Sequence, residues 1–213
     1  MTATISRLFD NYSTAQQAVR DLETAGVPQS EISIVASNAD GWYGANHGTL
    51  ARRVGTPDRV DRNGDGIDDR AEGSGAGAGI GAVVGGGAGL LAGLGLLAIP
   101  GLGPVVAAGW LASTALGAVV GGTAGGLIGA LTAAGVSKED AHVYAEGIRR
   151  GGTLVTARVP DADRPKCEAI LNRASVNVQD RGAAYRKAGW KEFDASATPY
   201  TADQVRRERE LYR

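Results

Sequence analysis

The sequence predicts an α+β fold, a βαββαβ sandwich interrupted between its second and third strands by a glycine-rich helical hairpin. Three observations carry this reading. A polar segment at each end of the chain alternates strand and helix patterns, and a charge-free run lies between the two. From Gly73 to Ser137, 65 consecutive residues carry no Asp, Glu, Lys, Arg or His, and 21 of them are glycine. The run also falls where a βαββαβ topology needs only a hairpin turn, so an insertion there leaves and re-enters at one place.

The first half spans 1–37. Thr4–Phe9 is a β-branched and apolar run, the first strand. Ser13 is the expected N-cap of a helix whose apolar positions Ala15, Ala18, Val19, Leu22 and Ala25 keep helical spacing, with Gly26 as its stop. Glu31–Ser37 alternates Ile32, Ile34 and Ala36 against Ser33, Val35 and Ser37, a half-buried strand. The stretch 38–72 reads as loop and ends in an acidic motif.

The second half spans 137–180. Ser137 with Asp140 approximates a capping box before an extra helix with an Ala141, Tyr144, Ala145 and Ile148 face. Thr153–Val159 is the third strand, with Val155, Ala157 and Val159 on one side. Pro165 suits the first turn of a helix striped by Cys167, Ile170, Leu171 and Ala174. Ser175–Gln179 is the expected last strand. The tail 181–213 is polar with aromatic punctuation, and Thr201 with Gln204 is expected to cap a terminal helix, Ala202–Tyr212. The two halves together give a ferredoxin-like sandwich.

The insert, 73–136, holds the glycines in register. Gly73, Gly77, Gly81, Gly85, Gly89 and Gly93 recur every four residues; after Pro100–Pro104 the beat returns at Gly109, Ser113, Gly117, Gly121, Gly125 and Gly129. That period lays a small-residue ridge along a helix, where a second backbone can approach closely. Two helices are expected, Ala76–Ala98 and Val105–Ala134, of about 34 Å and about 45 Å. Their 16 glycines would cost on the order of 13–16 kcal/mol against alanine in water, so something must offset it. Two environments do so: a lipid bilayer, or other copies of the chain in a homo-oligomer. Arg52, Arg53, Arg59, Arg62 and Arg70 before the run and Lys138, Arg149 and Arg150 after it would place both flanks in the cytoplasm. The corresponding locations are the cytoplasmic face of the inner membrane or the cytoplasm as a large assembly.

Asp61-Arg62-Asn63-Gly64-Asp65-Gly66-Ile67-Asp68-Asp69-Arg70-Ala71-Glu72 matches D-x-[DN]-x-[DN]-G-x5-E at every specified position. Asp61, Asn63, Asp65, the Ile67 carbonyl, Asp69 and Glu72 then stand where Ca2+ needs its oxygens. The apolar residue usual at position 8 is replaced by Asp68, and Gly55 and Pro57 precede the loop. The other reading is an acidic turn capping the following helix, with Asp69 as N-cap and Glu72 at N3.

Composition excludes several classes. A net charge of −1 gives no field for nucleic acid, and the lone Cys167 allows no internal disulfide. The first ten residues hold no secretory pattern. His47 and His142 lack companions at zinc spacing, and no strand precedes the glycines as a nucleotide fold requires. No small-molecule substrate or catalytic set is evident, and Arg206–Glu210 reads as a solvated helix face. The stretch Ile99-Pro100-Gly101-Leu102-Gly103-Pro104-Val105-Val106-Ala107-Ala108-Gly109-Trp110, the stretch Glu139-Asp140-Ala141-His142-Val143-Tyr144-Ala145-Glu146-Gly147 and the order of segments resemble the YflT-type general stress protein family of bacteria. The resemblance covers roughly residues 2–179. It implies a stress-response role and brings no catalytic residues.

Overall fold

Local sequence decides most elements in the computed structural model, which describes residues 2–43, 94–112, 114 and 126–211. The first strand, β1, is Thr2–Phe9. It is followed by α1, Tyr12–Thr24, which buries Ala15, Ala18, Val19 and Leu22, the stripe its spacing predicts. The N-cap is Asn11 rather than Ser13: the Asn11 carboxamide accepts from the Thr14 amide and from the Ser13 and Thr14 hydroxyls. Gly26 stops the helix at φ +95°. A short 3-10 turn, Gln29–Glu31, leads into β2, Ile32–Ser37. All six β2 residues are buried, not every second one, because β2 lies inside the sheet with both faces covered.

The described part of the charge-free run departs from its expected form. Leu94 is followed by β3, Gly95–Ile99, and by β4, Gly103–Gly109, an antiparallel hairpin about Pro100–Leu102. Residues expected in two helices therefore make two strands. Val105, Val106, Ala107 and Ala108 pair with the open edge of β2 and bury their side chains there, which outweighs helical spacing. Among the described residues of the run, Trp110–Ala112 and Thr114 are helical, and Gly126–Ala133 forms the helix α2.

Five strands thus form one sheet in the order β1-β5-β2-β4-β3, with every neighbouring pair antiparallel; β5 is Thr153–Pro160. The remaining helices are α3 (Lys138–Arg149), α4 (Arg164–Asn172), α5 (Val178–Lys187) and α6 (Ala202–Glu210). Ser137 caps α3 through the Asp140 amide, as the sequence predicts. The expected last strand is corrected: Ser175–Gln179 contributes one bridge, Val176 to Leu8, and then enters α5. Asn177 accepts from the Gln179 and Asp180 amides, and this cap with Asp180 in the first turn starts a helix instead.

The sheet divides the core in two. On one face α1 and α4 cover Ile5, Phe9, Ile32, Ile34, Val155, Ala157 and Val159, with Cys167, Ile170 and Leu171 on the α4 side; Ala174 is exposed beyond the helix end. On the other, Leu127, Ala130 and Leu131 of α2, Ala141, Tyr144, Ala145 and Ile148 of α3, and Phe193 of the tail cover Leu8, Val35, Leu154 and the β3–β4 hairpin.

Candidate functional site

Of the predicted site residues, only two lie among the described ones. Gly109 is not on a helical ridge: it ends β4 at φ +87°, and a Cβ there would sit 2.1 Å from the Ile32 carbonyl oxygen. Glycine is needed for that tight exit, which lets the Leu111 amide reach the buried Ser33 hydroxyl at 2.8 Å. Gly129 is helical and exposed on α2, and a Cβ there would meet nothing within 4 Å. Gly77, Gly81, Gly85, Gly89, Gly93, Gly117, Gly121 and Gly125 lie outside the described residues. So do the acidic-loop residues Asp61, Asn63, Asp65, Ile67, Asp69 and Glu72. Among the described residues no group of three or more acidic, His or Cys side chains could hold a metal ion, and no helix is long and apolar enough to cross a membrane.

The densest polar arrangement is a charged seam where the tail returns to α3. Glu146 is 1% exposed, the one buried ionisable carboxylate among the described residues. Helical spacing brings Arg149 and Arg150 back onto it, at 3.5 Å and 2.7 Å. Arg150 also meets Glu208 of α6 at 3.1 Å and lies 4.3 Å from the Tyr185 ring centroid. Burial pulls the Arg150 guanidinium down, but the Glu146 hydrogen bond and the Glu146 and Glu208 charges prevail and hold it above its ordinary value. Tyr200 lies under Arg149 at 4.8 Å, and its own burial raises its hydroxyl pKa. Arg209 donates to the Gly151 carbonyl at 3.0 Å and to Asp40 at 2.7 Å.

The tail reaches this seam along a route pinned at each step. Trp190 stacks edge-on against Tyr185, and Phe193 buries its ring while its amide donates to His142 Nδ1 at 3.2 Å. Gly101 lets Ala195 approach within 2.7 Å of where a Cβ would stand, and Pro199 lies over Gly103 in the same way. The Thr198 carbonyl accepts from Arg149. Thr201 and Gln204 then form the predicted capping box of α6, and Val205 inserts beside Gly151. A cavity of about 10 Å³, lined by Asp10, Arg150, Arg181, Glu208 and Arg209 among others, remains beneath α6.

Chemically the seam is a clamp. Each guanidinium named here faces a carboxylate, a carbonyl or a ring, so the seam joins segments rather than presenting free charge. The sequence reading missed it because Arg149 and Arg150 look like cytoplasmic flanks and Arg206–Glu210 like a solvated face. One signal was available: Val205, Glu208 and Arg209 stand at i, i+3 and i+4, a single apolar anchor with charges on the same face. Cys167 is buried against the α1–α4 face, where burial raises its thiol pKa, and His142 serves as a hydrogen-bond acceptor.

No family model, curated protein or solved structure matches this chain.

Proposed function

We propose that this is a non-enzymatic stress-response protein that self-associates through the glycine ridge of its charge-free run, acting as a homo-oligomeric assembly unit. One observation carries the reading. In α2 the buried side is Gly126, Leu127, Ala130 and Leu131, while Gly129, Thr132 and Ala133 point outward with no charge among them. The ridge glycine is therefore not spent on packing inside the sandwich, and its face suits close approach by another helix.

The same placement weighs against a two-pass membrane hairpin. Both ends of the expected second leg, Val105–Gly109 and Gly126–Ala133, belong to the sandwich, and the 16 residues 110–125 between them would span about 24 Å as a helix, against a hydrocarbon core of about 30 Å. Gly73–Gly93 is long enough to cross once. Yet Tyr43 and Leu94, on either side of that stretch, meet: the Leu94 carbonyl accepts from the Tyr43 hydroxyl at 2.5 Å. A crossing and a return need two such legs.

The frame in this reading is ferredoxin-like. β1, β5 and β2 make a split βαβ, the Leu8–Val176 bridge marks the place of a fourth strand, and β4–β3 extends the far edge. The stress-response role rests on the sequence resemblance alone, and Ca2+ at Asp61–Glu72 on its spacing alone; calorimetry at millimolar Ca2+ on the parent and on Asp65→Ala tests the latter.

Light scattering without detergent tests self-association. Gly129→Leu replaces a helical glycine with open space at its Cβ, so it should stabilise the sandwich by about 0.8–1 kcal/mol while dispersing the particle. Gly85→Leu and Gly121→Leu should disperse it as well. A monomeric parent, or an unchanged particle in all three variants, overturns the proposal; retention on carbonate-washed membranes would restore the lipid alternative.

A further inference from the structure

Two features of the tail differ in kind. The stretch up to Thr198 is fixed by a buried aromatic ring, by the His142 hydrogen bond and by close backbone approach at Gly101. Beyond it, α6 is a nine-residue helix whose sequence, Ala202–Glu210, offers Val205 as its only buried residue. A helix of that length is not stable alone in water, so α6 is folded because it is docked. Its other anchors are the Arg209 hydrogen bond to the Gly151 carbonyl and two ion pairs within reach of solvent: Arg150–Glu208, with side chains 13% and 18% exposed, and Arg209–Asp40, at 27% and 16%.

Asp40 joins α6 to the turn that follows β2. Its Oδ2 is held by Arg209, while its Oδ1 is buried without a hydrogen-bond partner. If Arg209 leaves, a largely buried carboxylate loses its one cation and the turn must move to hydrate it. That turn is a small unit. Asn38 donates its amide to the Pro104 carbonyl and accepts from the Tyr43 amide, Gly41 donates to the Asn38 carbonyl, and the Trp42 indole donates to the Ser37 carbonyl. The Trp42 ring lies 4.5 Å from Tyr12 and 5.8 Å from Tyr43.

We propose that α6 is a detachable, salt-sensitive latch, closed here through Val205, Glu208 and Arg209, which holds the turn Asn38–Tyr43 by way of Asp40. The turn precedes the acidic loop and the glycine run, so the latch sets how firmly the chain is held where that run departs. The inference does not depend on self-association.

Amide hydrogen exchange on the full chain, read separately for 38–43 and 202–211, tests it. Raising NaCl from 0.05 to 1 M should speed exchange in both segments together, by about tenfold for the two partly exposed ion pairs. Val205→Ser should open α6 and speed both segments at low salt. Arg209→Ala should do the same and abolish most of the salt response at 38–43. Arg207→Ala, on the exposed side of α6, should change neither. If Val205→Ser frees 202–211 while 38–43 keeps its protection, or if Arg207→Ala acts as strongly as Arg209→Ala, the latch is overturned. Particle size plays no part in this readout, so the assembly proposal stands or falls separately.

Discussion

The two faces of the sheet are built by different means. The α1–α4 face is aliphatic and is made by the helices of the two strand–helix halves, lying against Ile5, Ile34, Val155 and Val159. The α2–α3 face carries a row of buried hydroxyls, Ser6, Thr156 and Ser33, on paired positions of three strands, and behind it the buried Glu146 with its arginines. It also gathers distant pieces: β3–β4 and α2 from the charge-free run, α3 ahead of β5, and the tail. The first face can be assembled by burial alone. The second joins segments that have little sequence proximity, and polar pairing fixes where each one sits.

The largest test of that contrast substitutes each face isosterically. Glu146→Gln keeps shape but strips the charge that Arg149 and Arg150 are paired to, and should cost about 3 kcal/mol in urea unfolding, since breaking a buried pair costs about 3–5 and Glu208 still serves Arg150. Leu22→Met, fully buried on the aliphatic face, should cost less than about 1.5 kcal/mol. Equal costs would mean that the buried carboxylate is no more specific than a methylene, and the contrast would break.

An alkaline titration sharpens it. Tyr144 of α3 donates its hydroxyl to the Ser6 carbonyl at 2.8 Å, and burial pushes its pKa up to about 12. The raised value means that the unfolded chain loses this proton first, near pH 10. The contribution is therefore whole below pH 10 and falls away as pH climbs to 12, by about 2 kcal/mol for this one residue. Tyr12, beside Trp42, is also raised to about 12 by burial but keeps more solvent, so its share is smaller. Tyr144→Phe should flatten the loss by most of that amount, at a cost of about 1 kcal/mol at pH 7. The cost stays modest because Arg7 still donates to the Ser6 carbonyl. An unchanged alkaline slope in Tyr144→Phe would place the ring outside the core.

What could be read beforehand follows the same divide. The aliphatic face was legible: the stripes Ala15–Leu22 and Val155–Val159 are short-range periodicities, and Gly26 and Pro165 punctuate them. On the other face, the α3 cap at Ser137 and the capping box at Thr201 were legible because each is closed within four residues. What connects them was not. Val105–Ala108 has neither charge nor period to separate strand from helix, and the open edge of β2 decides the matter. Val176 and Val178 look like one side of a strand, but Asn177 between them caps a helix. Glu146 pairs with Arg150 one turn on, which spacing allows, yet the Glu208 and Tyr185 that meet Arg150 arrive from far along the chain.

The smallest expected effect isolates the last piece of the second face. Thr201→Ala removes the hydroxyl that accepts from the Gln204 amide, and with it half of the reciprocal box in which Gln204 Oε1 accepts from the Thr201 amide at 2.8 Å. An N-cap loss of this kind costs about 0.5–1 kcal/mol. Because α6 is held by Val205 and a few ion pairs, that cost should appear as opening of α6 alone, a roughly two- to fivefold faster exchange at 202–211 with the global midpoint unmoved. The matching change on the aliphatic face is Asn11→Ala at the α1 cap. There the helix is locked by four buried residues against the sheet, so the same cost cannot be relieved locally and should lower the global midpoint instead. If Thr201→Ala also shifts the midpoint, then α6 folds as one unit with the sandwich, and the two faces differ in chemistry but not in how independently their parts can move.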